Sequence, residues 1–235
     1  MAEHSGARAS EDDAAPAPAA SGPRIVLFDL DGVITVADTF ALFMRERYAG
    51  VGRKLLLLPA LPWLALVRPF SWRLAVRTLI HVGLLGLGER RYREEALGFA
   101  GRLVRRPKQF QREALLALRR HQAQRDRVIV VTGCERILAR GLLDELGLRE
   151  VDLVASELVP GWLGMRVRRH NVGAAKPRSL AEAGVARWDR AYGDSALDIP
   201  MLGGAAEPVL VNGSPKLCKQ VERALGRSVE RVAWY

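Results

Sequence analysis

RIVLFDLDG, residues 24–32, carries a mostly apolar run into two carboxylates, Asp29 and Asp31, one residue apart and closed by Gly32. A short run of this kind, rich in branched residues, reads as a buried strand. Both aspartates then stand at its carboxyl end. The arrangement recurs downstream: RVIVV (127–131) leads into Thr132-Gly133, and WDRAY (188–192) leads into Gly193-Asp194-Ser195, with Asp198 following and Lys176 lying between the two islands. In an open α/β sheet the carboxyl ends of parallel strands converge on one crevice, so residues far apart in sequence can meet there.

Further apolar runs at 151–155 and 208–211 read as strands, and 137–146 and 178–183 carry helical patterns. Alternating elements of this kind predict an α/β fold, a Rossmann-like parallel sheet with helices on both faces. Residues 157–159 and 165–168, joined through Gly-Trp-Leu-Gly at 161–164, predict a hairpin at its edge.

The residue types at the islands suit phosphoryl transfer. Hydrolysis of a phosphate monoester is among the slowest uncatalysed reactions, so positive charge must neutralise the phosphoryl group while a fixed nucleophile approaches in line. Asp29 fits the nucleophile, which would form an aspartyl-phosphate. Asp31, on the same side of an extended chain, fits the general acid and base. Thr132 and the open backbone at Gly133 can donate to phosphoryl oxygens, and Lys176 can supply a point charge. Asp194, with the Asp29 carboxylate and the Asp31 carbonyl, would complete an oxygen-rich shell for Mg2+. Asp198 would orient Lys176 or a metal-bound water from behind.

These four motifs resemble those of the haloacid dehalogenase superfamily of phosphatases, from about Arg24 to the C-terminus. The second aspartate of the first motif is similar to the phosphatases of that superfamily rather than the dehalogenases. Val33 departs from the threonine common after Asp-Gly, and Pro177 directly follows the lysine.

Cys134 and Arg140 have the Cys-x₅-Arg spacing of cysteine phosphatases, but the residues between them lack phosphate-cradling glycines, and the stretch reads as a helix start. The two cysteines, Cys134 and Cys218, lie far apart, which suggests neither zinc nor a disulfide framework. A chain of 235 residues with 49% hydrophobic content can bury a sizeable core of one or two domains. The division expected is a disordered tail at 1–23, a catalytic core from 24–38 and 125–235, and a helical cap at 39–124.

That insert is too long for a structureless loop. It contains LLLLPALPWLALV (55–67), a second apolar segment around 74–87, and 17 Lys/Arg against 5 Asp/Glu between Thr39 and Arg120. A membrane span needs about 20 continuous apolar residues, whereas this run is shorter and holds Pro59 and Pro62. Flanking cations at Arg53, Lys54, Arg68 and Arg73 suit an element lying at a lipid surface. Ordinary burial inside a cap is the competing reading.

The position of the insert is similar to that in the phosphoserine phosphatase subgroup. Asp38-Thr39-Phe40, the leucine-rich run with two prolines, Leu153–Ser156 with its hairpin, and Gly173-x-x-Lys176 resemble the bacterial phosphatidylglycerophosphatase C family. That resemblance implies a lipid phosphate substrate, an anionic-lipid partner and peripheral attachment to the cytoplasmic face of the inner membrane. The phosphoserine-type resemblance implies instead a small soluble substrate, with Asp38 contacting its amine. A third reading is a catalytically retired basic module that binds membrane or nucleic acid, which a sequence pI near 10.4 permits. No stacking pattern of a known nucleic-acid module is present, so no specific nucleic acid is expected.

Overall fold

The computed structural model describes residues 23–234, so the expected tail falls almost wholly outside the described residues. The strands are β1 (Ile25–Phe28), β2 (Arg127–Glu135), β3 (Asp152–Gly161), β4 (Gly164–Arg169), β5 (Trp188–Gly193), β6 (Ala205–Val211) and β7 (Glu230–Val232). They form one sheet in the order β4-β3-β2-β1-β5-β6-β7, parallel throughout except where β4 runs against β3. β1 is central, with Phe28 beside Val130 of β2 and Tyr192 of β5.

Between β1 and β2 come α1 (Thr39–Arg47), α2 (Val51–Leu55), α3 (Leu61–Val67), α4 (Trp72–Gly83), α5 (Glu89–Val104) and α6 (Arg112–Ala123). Later helices are α7 (Arg136–Glu145), α8 (Ala175–Glu182), α9 (Ile199–Gly203) and α10 (Pro215–Leu225). Both faces of the sheet are covered. Val26, Phe28, Val128 and Val130 pack with Phe99, Leu118 and Leu138 on one side. Leu27, Ile129 and Val131 pack with Leu180, Met201 and Val221 on the other. Alternate residues of each strand enter opposite layers, which is why these strands are almost continuously apolar.

Two expected strands merge into one. Residues 152–155 and 157–159 belong to β3, which pairs in parallel with β2 through its first half and antiparallel with β4 through its second, with an irregularity at Glu157/Leu158. The leucine-rich run is broken where its prolines fall. A 3-10 turn at Leu58–Ala60 contains Pro59, and α3 carries Pro62 in its first turn, where a missing N–H breaks no helical hydrogen bond. Pro177 is likewise accommodated in the first turn of α8. Among the described residues no single helix is long and apolar enough to cross a membrane.

The insert is fastened to the sheet layer at several points. Tyr92 of α5 donates its hydroxyl to Glu135 at the end of β2. Val36 N–H donates to the Gln109 carbonyl and Gln111 N–H to the Ile34 carbonyl. Other contacts tie the insert's own helices together: Glu46 of α1 pairs with Arg102 and Arg106. The buried Arg47 pairs with Glu95 and donates to the Gly83 carbonyl.

Candidate active site

The end of β1 sets the first carboxylate. Asp29 N–H donates to the Tyr192 carbonyl at 3.0 Å, extending the pairing with β5 one step past the strand. Lys176, in the first turn of α8, brings its Nζ to 2.8 Å from Asp29 Oδ2 and 2.6 Å from Asp198 Oδ1. Asp198 is completely enclosed, and its Oδ2 accepts from the N–H groups of Asp194 and Ser195 and from the Ser195 hydroxyl. It thus holds the amine with one oxygen and the loop after β5 with the other.

Asp29, Asp194 and Asp198 each place a carboxylate oxygen within 4.8 Å of the others. Asp194 lies against the backbone of Gly32, which has φ +78°, and a Cβ added there would stand 1.9 Å from Asp194 Oδ2. Only glycine allows that approach. Asp31 turns away from the three-carboxylate cluster: its Oδ1 accepts from Thr39 N–H at 2.8 Å and from the Thr35 hydroxyl at 3.2 Å, at the positive end of α1.

Burial pushes Asp29 well above the usual carboxylate range, although Lys176 opposes it. Burial likewise raises Asp31 to about 6, against the Thr39 hydrogen bond. Asp194 is raised to about 6 by burial and by the neighbouring Asp198 charge. For Asp198 burial is outweighed by Lys176 and Ser195, and its carboxyl falls below its ordinary value. Lys176 is desolvated, but Asp29 and Asp198 more than compensate and hold it protonated. One ammonium therefore faces three crowded carboxylates. An oxygen-only donor set with excess negative charge suits a hard divalent cation, which would draw the raised carboxyls back toward ionisation. Asp198 spends its oxygens on Lys176 and the loop, and Asp29 meets Leu30 N–H and Lys176 while facing Asp194, so Asp194 and Asp29 are the carboxylates better placed to hold such an ion.

Thr132 is fully buried on the neighbouring strand at the same sheet edge. Its Oγ1 accepts from Cys134 N–H at 2.9 Å, which leaves the hydroxyl proton to donate. The Gly133 carbonyl accepts from the Ser156 hydroxyl at 2.7 Å. Asp38 is exposed and caps α1, accepting from Ala41 N–H at 2.8 Å; its charge contributes to raising Asp31. Cys134 is enclosed, and burial keeps its thiol protonated, while Arg140 donates to the Val151 and Leu148 carbonyls. The cysteine-phosphatase spacing is coincidental.

Sequence reasoning passed over Asn171 and Glu135. Asn171 is fully buried; its Nδ2 donates to the carbonyls of Thr132 and Val154, both at 3.1 Å, and its Oδ1 has no partner among the described residues. Glu135 caps α7 through Ile137 and Leu138 N–H while receiving Tyr92. No local motif marks Asn171 or the contact of Glu135 with Tyr92, because those partners are remote in sequence; the capping of α7 by Glu135 is local.

A family model described as haloacid dehalogenase-like hydrolase matches residues 26–203. Among solved structures, a protein with unknown function from Bordetella pertussis Tohama I has TM-score 0.68 and 19% identity, covering 89% of this chain and 99% of its own. A phosphoserine phosphohydrolase-like protein from Francisella tularensis has TM-score 0.59 and 13% identity, covering 89% of this chain and 94% of its own. A substrate-bound phosphoserine phosphatase complex has TM-score 0.55 and 16% identity, with the same coverage. At these identities the likeness is one of fold. No curated protein sequence matches the chain.

Proposed function

The chain belongs to the haloacid dehalogenase-like hydrolase family, and from that membership we propose a Mg2+-dependent phosphatase that forms an aspartyl-phosphate on Asp29 and acts on a lipid phosphate at an anionic membrane surface. In this reading the Asp29 carboxylate attacks phosphorus in line, and the P–O bond to the leaving alcohol breaks as Asp31 gives that oxygen its proton. Asp31 then takes a proton from the water that opens the acyl phosphate. Lys176 and the Thr132 hydroxyl hold phosphoryl oxygens, and Asp198 keeps Lys176 in place. A divalent cation on Asp29, Asp194 and the Asp31 carbonyl would supply charge neutralisation for the phosphoryl group.

The observation that carries the substrate class is the outward face of the insert. Leu55, Leu58, Leu61, Trp63, Leu66 and Phe70 are all exposed, Phe70 to 85%. Contiguous apolar surface of this kind marks an interaction site rather than an ordinary cap exterior. Exposed Lys54 and Arg68 flank it in sequence, while Arg53 donates to the Gly83 carbonyl, and each cation near an anionic bilayer contributes about 1 kcal/mol. Val36 and Leu197, on the loops that carry Asp31 and Asp194, are also exposed apolar residues, which suits a substrate whose non-phosphate part is greasy. Asp38 caps α1 through one oxygen and is exposed, so a small amino-alcohol phosphate of the phosphoserine type remains the alternative substrate.

Phosphate release from an anionic lipid phosphate in mixed vesicles, measured beside phosphoserine, tests the reading. Release from the lipid with little action on phosphoserine is expected; the reverse preference overturns the substrate assignment.

A further inference from the structure

We propose that the tip of the β3–β4 hairpin, Trp162-Leu163, is a second bilayer anchor, inserted into an anionic lipid surface together with the apolar face of α2–α4. The proposal rests on the membrane reading given above and adds to it a contact outside the insert.

Trp162 is 95% exposed and Leu163 beside it is also exposed. They form a two-residue turn between the paired Gly161 and Gly164, a position where Asn, Asp and Gly are the usual residues. A bulky indole held almost entirely in water gains nothing for the isolated fold. At a bilayer interface the same side chain is favoured, its apolar body and N–H matching the headgroup boundary.

The tip does not swing freely. Gly86 N–H donates to the Leu163 carbonyl at 2.7 Å, and Leu85 bridges to Gly164. Gly164 has φ +139°, and a Cβ there would stand 2.2 Å from the Leu84 carbonyl oxygen, so glycine is needed for the hairpin to abut the turn after α4. The hairpin is thereby clamped to the helix whose first turn carries the exposed Trp72. The hairpin tip and the C-terminal end of α4 are thus joined directly.

Charge selects a lipid surface as the occupant. Arg166 and Arg168 are exposed, two residues apart and hence on one face of edge strand β4. Neither has an acidic partner among the described residues, whereas Arg169 beside them pairs with Glu157 and Glu182. No Asp or Glu occurs between Leu158 and Ala181. Two and four residues past Gly164, and so about 7 and 13 Å along the strand, these arginines stand at headgroup depth when the tip is inserted. A two-residue tip is far below the roughly 800 Å² per partner of a stable protein interface.

The test uses the full chain and co-sedimentation with phosphatidylcholine vesicles, with and without phosphatidylglycerol. Trp162→Ser/Leu163→Ser is compared with Trp63→Ser/Leu66→Ser on α3, and thermal melting checks that each variant is folded. The hairpin variant is expected to lose about tenfold in partitioning to anionic vesicles, and Trp162→Phe to lose part of the fluorescence quenching by acyl-brominated lipid. Wild-type binding that the hairpin variant reproduces overturns the anchor and leaves the membrane reading intact. Failure of the wild type to bind either vesicle overturns both.

Discussion

Lys176 Nζ and Asp198 Oδ1 stand 2.6 Å apart in an enclosed position, so the ammonium that faces Asp29 is held from behind by a carboxylate with no access to solvent. Replacing Asp198 by Ala strips Lys176 of that support and frees the Asp194-Ser195 loop. Breaking a buried pair from one side costs about 3–5 kcal/mol, so denaturant titration of Asp198→Ala should show a loss of that order, with turnover falling alongside. Asp198→Asn, which retains the shape and part of the hydrogen bonding, should lose less of both.

Asp29→Asn removes the proposed nucleophile while conserving volume. Turnover of any phosphomonoester should fall by about 10⁴-fold or more, and radiolabelled phosphate should no longer be trapped on denatured protein. Residual turnover near that of the wild type would contradict the covalent route, whereas a wild type with no turnover would favour the retired-module reading.

Gly32→Ala forces a β-carbon against Asp194 and a non-glycine residue into a left-handed backbone conformation, which alone costs about 1–2 kcal/mol. Because Asp194 must move, the Mg2+ concentration giving half-maximal activity should rise by about tenfold, a shift of roughly 1.4 kcal/mol. Magnesium titration of activity measures it.

Asp31 and Asp194 are raised to about 6 in the folded protein, in both cases chiefly by burial. Between their unfolded values near 4 and about 6, the native state holds protons that the unfolded chain has released, so stability falls as pH rises through that window, and Asp29, also raised by burial, acts in the same direction. The metal-free protein should therefore melt at higher temperature near pH 5 than near pH 7. Saturating Mg2+ should raise the pH 7 melting temperature and flatten the dependence, since a cation favours the ionised carboxylates. Differential scanning calorimetry at several pH values checks both signs.

The meeting of Asp29, Lys176 and Asp194 follows from information local to each segment: an apolar run, then polar residues, then turn chemistry, repeated in an order that a parallel sheet brings to one edge. Strand β7 escaped such reading because Glu230–Val232 is three residues long and mostly charged; it exists only because β6 offers it an edge. Asn171 and the Tyr92–Glu135 contact were illegible for a related reason, since their partners lie on other strands and on an inserted helix. The outward face of Leu55–Phe70 was undecided in the sequence. A run apolar on all sides gives no periodicity from which to choose between core and surface, and only the packing of its neighbours decides.

The hydrogen bond from Thr39 N–H to Asp31 joins the first residue of the first inserted helix to the group proposed to move protons. Displacing α1 would withdraw both a donor and a positive helix end from that carboxyl, making it a weaker acid. If Asp31 moves protons as proposed, its acidity depends on the seating of α1 against it, so a shift of that helix would retune the acid.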